Sequence, residues 1–113
     1  MSISVNGFGE NVLTFKAADG LTSGVPVKVS ENDTVAACAA SNIFCGVAVE
    51  VSGGYAGVQL KGFVTLPYTG TAPAVGLTAL SANGNGGVKA DTNGEKYLVT
   101  NVNTTAATVS FML

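Results

Sequence analysis

The stretch CGVAVEVSGGYAGVQLKG, residues 45 to 62, constrains the fold of this chain more than any other. Val47, Val49 and Val51 fall on one side of a period-two pattern and Ala48, Glu50 and Ser52 on the other, as in a half-buried strand. Gly53 and Gly54 follow, and glycine adopts the positive φ of a two-residue turn without a Cβ clash. Counting outward from that turn sets Ser52 against Tyr55, Val51 against Ala56, Val49 against Val58 and Val47 against Leu60. Glu50, Ala48 and Gln59 go to the opposite face. A slip of one residue would reverse every assignment, so the expected register is well specified.

The same alternation recurs along the chain. NVLTFKA predicts a first strand, and GVPVKVS a second with Val25, Val27 and Val29 on one face. Pro26 donates no ladder hydrogen bond, so this strand is expected at an edge or with that position facing solvent. TVAACAAS and FCGVAVEV follow; alanine also favours helix, but the first segment is short for one. The strand after Gly53-Gly54 runs on through FVTLPY, with Gly62 expected as a bend or bulge that lets it curve or change sheets. TGTAPAVG reads as a loop, and LTALSANGNGG as a short strand entering another. GVKADTNGEKYLVTNV predicts a second hairpin about a type I′ turn at Asn93-Gly94, with Thr92 against Glu95, Asp91 against Lys96, Tyr97 against Ala90 and Val88 against Val99. ATVSFML closes the chain, and no internal repeat is apparent. Short strands separated by turns, with no amphipathic helix, predict an all-β fold, a compact small β-barrel or β-sandwich of short antiparallel strands. It is expected to be a single β domain over residues 11–113, preceded by an N-terminal arm at 1–10.

The residue inventory narrows the chemistry. Of 113 residues only 11% are charged, and the chain has no Trp, Arg or His. Its five lysines, Lys16, Lys28, Lys61, Lys89 and Lys96, are scattered, and the formal net charge is −2. Counterion release from nucleic acid needs clustered Lys and Arg, so no nucleic-acid partner is expected. No segment approaches the ~20 apolar residues of a membrane span, and MSISVNGFGE lacks the charged and apolar regions of a signal peptide. The expectation is a soluble chain made in the cytoplasm, without a membrane partner.

Candidate reactive groups have structural readings of their own. Cys38 and Cys45 have no His or second Cys pair to complete a zinc site. Cys45 shares the parity of Val47 and Val49, so burial as a small hydrophobe is expected, and a bridge requires their strands to be neighbours. DTNGE, residues 91 to 95, shares part of the pattern of a calcium loop, but its glycine comes early and the later acidic ligand is absent. NGNGG, residues 83 to 87, lacks the Lys-Ser/Thr of a phosphate loop. Glu50 has no obvious second carboxylate for glycoside hydrolysis, and a Ser-His-Asp arrangement is impossible without His. Lys61, beside Gly62, is the one plausible amine nucleophile, and no neighbouring residue in the sequence would activate it. Asn32-Asp33-Thr34 and Asn103-Thr104-Thr105 are formal glycosylation acceptors in turns. These readings predict no catalytic residue, cofactor or metal, and so no enzyme. Tyr55, Tyr68 and Tyr97 are the residues suited to stacking on sugars, with Tyr97 equally placed for the core.

Taken in order, GVPVKVS, TVAACAASNIFCGVAVEV, YAGVQLKGFVTLPYTGTAPAVG, the glycine-rich loop, GVKADTNGEKYLVTNV and the apolar last strand resemble the small phage and prophage head decoration proteins, also called capsid cement proteins. The resemblance runs from Gly24 onward, through FCGVA at 44 to 48, VQLKGFV at 58 to 64, PAVG at 73 to 76 and the final strand. It implies a compact β domain, commonly a trimeric homo-oligomer, on the head exterior of the virion. There it would clamp neighbouring subunits of the major capsid protein, as a structural protein that decorates and stabilises the head. The alternative is a β-rich carbohydrate- or surface-binding module of a phage fibre or adhesin. The shell or subunit contacts expected are Ile3, Val5 and Phe8 in the arm, and Phe111 and Leu113 at an apolar terminus that the fold or a neighbour must cover.

Overall fold

A computed structural model describes residues 11–113, which form ten strands and no helix. They are β1 (Asn11–Ala17), β2 (Pro26–Glu31), β3 (Thr34–Ala37), β4 (Gly46–Ser52), β5 (Tyr55–Lys61), β6 (Phe63–Pro67), β7 (Gly76–Ala82), β8 (Val88–Ala90), β9 (Glu95–Asn103) and β10 (Thr108–Met112). The all-β class read from the alternation is the class observed. The expected arm, with Ile3, Val5 and Phe8, lies outside the described residues.

The strands form two five-stranded units. The first is a closed barrel, β1-β3-β2-β4-β5, and the second a sheet ordered β6-β10-β9-β7-β8. Gly62, at φ 113°, separates them, so the bend expected there is where the chain changes sheets.

Strand for strand, the second unit repeats the first. In the first, β1 pairs with β5 and in parallel with β3, β3 with β2, β2 with β4, and β4 with β5. In the second, β6 pairs with β10, β8 with β7, β7 with β9, and β9 with β10. The parallel closure of β1 on β3 is echoed by a parallel bridge from Tyr68 to Val88. Even single hydrogen bonds recur: Ala18 N–H donates to Val35 O at 2.9 Å, and Thr69 N–H to Val88 O at 3.1 Å. Only the pairing of β2 with β4 differs from that of β7 with β9, by a slide of two residues that preserves the faces. The expectation of no internal repeat is therefore corrected at the level of structure. Burial imposes only apolar type and parity, so the two halves share a pattern with little identity of residue.

Each unit has a core built from equivalent positions. Val27, Val35, Ala48, Ala56 and Val58 fill the first, and Leu80, Val88, Val99, Val109 and Phe111 stand in their places in the second. A narrow five-stranded barrel admits small side chains, and the first uses only Ala and Val there. The second core is larger because Cys38, Phe44 and Val47 of the first unit join it. The segment between β3 and β4 crosses over to do this. Ser41 N–H donates to Ala82 O at 2.8 Å, Ala82 N–H donates to Asn42 O at 3.0 Å, and Lys89 Nζ reaches Ser41 Oγ at 2.7 Å.

The hairpin at Gly53-Gly54 forms, with φ of 60° and 82°, and its first three pairs are as expected: Ser52 with Tyr55, Val51 with Ala56, Glu50 with Gly57. Beyond them the expected register is corrected. Val49 is an extra residue, so Ala48 pairs with Val58 and Val47 with Gln59. A bulge adds the local twist that closing so small a barrel needs. Its effect is to bury Ala48 and turn Val49 outward. The second unit carries the same bulge at Thr100, between Val99 opposite Phe111 and Asn101 opposite Ser110.

The second expected hairpin is also corrected. β8 and β9 lie on opposite sides of β7, so Leu80 pairs with both Ala90 and Glu95, and Tyr97 faces Thr78 instead of Ala90. Asp91 to Gly94 carries the chain across the end of β7 in an ordinary turn, with Gly94 N–H donating to Asp91 O at 2.8 Å. Neither Asn93 nor Gly94 has positive φ. Gly94 serves proximity instead, since a Cβ there would collide with the Leu80 carbonyl. Pro26 is the first residue of an interior strand of the barrel, which satisfies its missing donor without an edge.

Candidate interaction surfaces

Charged and nucleophilic groups are dispersed. Among the described residues no three His, Cys, Asp or Glu gather as a metal site would require. Glu50 and Lys61 are exposed on strand surfaces. Asp91 accepts from Ser81 Oγ at 2.8 Å and from Asn93 N–H at 2.9 Å. The Asn93 amide, then the Ser81 hydroxyl, hold its carboxyl below the usual range. It therefore acts as a clamp on the turn between β8 and β9. In the 83–87 loop Asn83 Oδ1 accepts from Asn85 N–H at 2.7 Å and Gly87 N–H at 3.0 Å, so these amides are spent on closing the hairpin of β7 and β8.

Both cysteines are free. Cys38 follows β3 and Cys45 precedes β4, and β2 runs between those strands. Two interstrand spacings come to roughly 9–10 Å, beyond the ~7 Å limit for a disulfide. Cys38 is buried, and burial pushes its thiol up to about 11. Cys45 is exposed, correcting the burial expected from its parity: the bulge at Val49 puts Val47 and Cys45 on the outside of the barrel, where the second core covers Val47 but not Cys45. The tyrosines do not share a groove. Tyr68 is buried, Tyr55 stands alone on the first barrel, and Tyr97 stacks on Phe44 with centroids 5.2 Å apart and planes 8° from parallel. Phe111 completes that cluster, 5.2 Å from Tyr97 and 6.1 Å from Phe44.

Of the contact residues expected at the terminus, Phe111 is fully buried by its own chain and presents no area to a neighbour. Leu113 is partly buried against the second core, and its N–H donates to Gly62 O at 2.9 Å.

The apolar surface that is exposed lies elsewhere. Across the outer face of the second sheet Leu77 pairs with Leu98, Leu98 with Met112, and Met112 with Phe63, an unbroken row over β7, β9, β10 and β6. Leu77 is 73% and Leu98 48% exposed. On the first barrel Val12, Leu13 and Val29 are each more than half exposed. Reading the sequence did not find the row, because it exists only once β7 and β9 are known to be neighbours; the outward leucines of LTALSA and KYLVTNV were its one local sign. No protein-family model matches the chain, and no curated protein matches it either.

Proposed function

We propose that this protein is a structural component of a phage or prophage head, bound to the outside of the shell and stabilising it. The observation that carries the reading is exposed apolar surface on both units of a fold whose charged groups are dispersed. Work done through such a molecule is done by docking. The resemblance from Gly24 onward supplies the partner, the major capsid protein, and a trimer as the assembled form. Residues 1–10, with Ile3, Val5 and Phe8, are the segment proposed to engage the shell. A carbohydrate-binding role draws less support, since Tyr68 and Tyr97 are committed to the second core and Tyr55 is isolated.

Sedimentation tests this reading. Purified protein is mixed with heads, lacking it, of the phage or prophage that encodes it, and the heads are pelleted. Saturable co-sedimentation, weakened by deletion of residues 1–10, is expected; protein that stays in the supernatant at every concentration overturns the reading.

A further inference from the structure

Within the chain, the outer face of the first unit is used to bind the second. Val47 and Gln59 form a cross-strand row on the outside of the first barrel, with Val12 at its end, yet Val47 and Gln59 are only 5% and 7% exposed. Val47 belongs to the second core, and with Gln59 it borders a groove of about 390 Å³ whose other wall is β6 from Phe63 to Leu66. One unit's outer row therefore meets the first strand of the next.

The repeat places a second copy of each half of that contact on the opposite sides of the two units, among the described residues. The equivalents of Val12, Gln59 and Val47 are Phe63, Met112 and Leu98, the outer row of the second sheet, in which Leu98 is exposed and Phe63 and Met112 are half-buried. The equivalents of Val64 and Leu66 on β6 are Leu13 and Phe15 on β1. Val64 is buried, whereas Leu13 is 55% exposed. Val29 is likewise open where its equivalent, Ala82, is covered by Ser41 and Asn42. Within the described residues no unit precedes the first and none follows the second.

We propose that copies of this chain associate head to tail, the Leu77–Leu98–Met112 row of one copy packing against β1 of the next and continuing between chains the contact made within each. The occupant of both faces is a second copy because the two faces are the unused halves of one interface already present in the molecule. The turn from Asp91 to Gly94 is too short to repeat the Ser41–Asn42 bridge, so the leucine row carries the contact. Such an interface is heterologous, and closes a ring or grows a fibre according to its rotation. In a trimer the ring would hold six units. The inference deepens the oligomer of the proposed function and is independent of the head.

Light scattering on Leu98→Asp, Leu13→Asp and their mixture tests it. The wild type is expected to be an oligomer and each variant a monomer. Mixing is expected to give a one-to-one dimer, since each variant retains the face the other has lost; a self-complementary two-fold interface cannot be rescued this way. Should either variant lose its far-ultraviolet β spectrum, Leu77→Lys and Val29→Lys, both at exposed positions, replace them. A monomeric wild type overturns the oligomer. An oligomeric wild type with a variant that still assembles, or with a mixture that stays monomeric, overturns the assignment of faces; neither outcome bears on co-sedimentation with heads.

Discussion

Phe44 shows how much one side chain can hold. It comes from the first unit, lies parallel to Tyr97 and touches Phe111, so it is both core and joint. Truncating a buried Phe costs about 3–5 kcal/mol. Phe44→Ala is therefore expected to lower unfolding free energy by about 3 kcal/mol in denaturant titration, with the aromatic circular dichroism of the cluster lost as well. Burial also makes the molecule sensitive to alkali. It raises Cys38 from 9.0 to about 11, and, with a smaller effect of Glu95, raises Tyr97 from 10.0 to about 12. A raised folded value means that the stabilisation is complete below the unfolded value and is lost as pH rises through the folded one. The thermal midpoint is thus expected to hold steady to about pH 9 and fall between 9 and 12, tracked by tyrosinate absorbance. Cys38→Ala should reduce that fall.

The strands show what the sequence made legible. Parity located nearly every one, and two glycines with positive φ fixed a hairpin next to its turn. What parity cannot express is an inserted residue. Val49 looks inward from the alternation and points outward because of the bulge, beside Val12 and over Gly57, whose Cβ would lie 3.6 Å from Val12 and 3.8 Å from Val49. Val49→Thr is accordingly expected to change the melting temperature little, while Ala48→Asp, placing a charge in a fully buried site, should abolish the cooperative transition. The Asn93-Gly94 error has another cause. Local signals identify a turn, but whether the strands on either side pair with each other or straddle a third is decided by distant residues, here Leu80. Gly94→Ala tests that reading. A hairpin glycine with positive φ would be damaged through its own backbone, whereas the observed contact predicts displacement of Leu80, visible as amide shift changes in β7 as well as in the turn.

For the whole molecule, duplication is the organising fact. Ten strands make two cores with matching positions, matching bulges and one shared joint, and the surfaces left over are the halves of that joint. The candidate contacts were less legible than the fold: Phe111 is interior, Ile3, Val5 and Phe8 fall outside the described residues, and Leu77, Leu98 and Leu13 emerge only from strand order. On the proposed function, a chain built this way, with its charged groups apart and its apolar faces outward, holds other molecules in place. That capacity is measurable as strength conferred on a shell. Calorimetry of heads lacking the protein, scanned alone and after saturation with it, reads that strength as the temperature of shell disruption. The expected result is a disruption endotherm shifted upward in proportion to occupancy; an endotherm that stays in place while bound protein unfolds at its own temperature would contradict it.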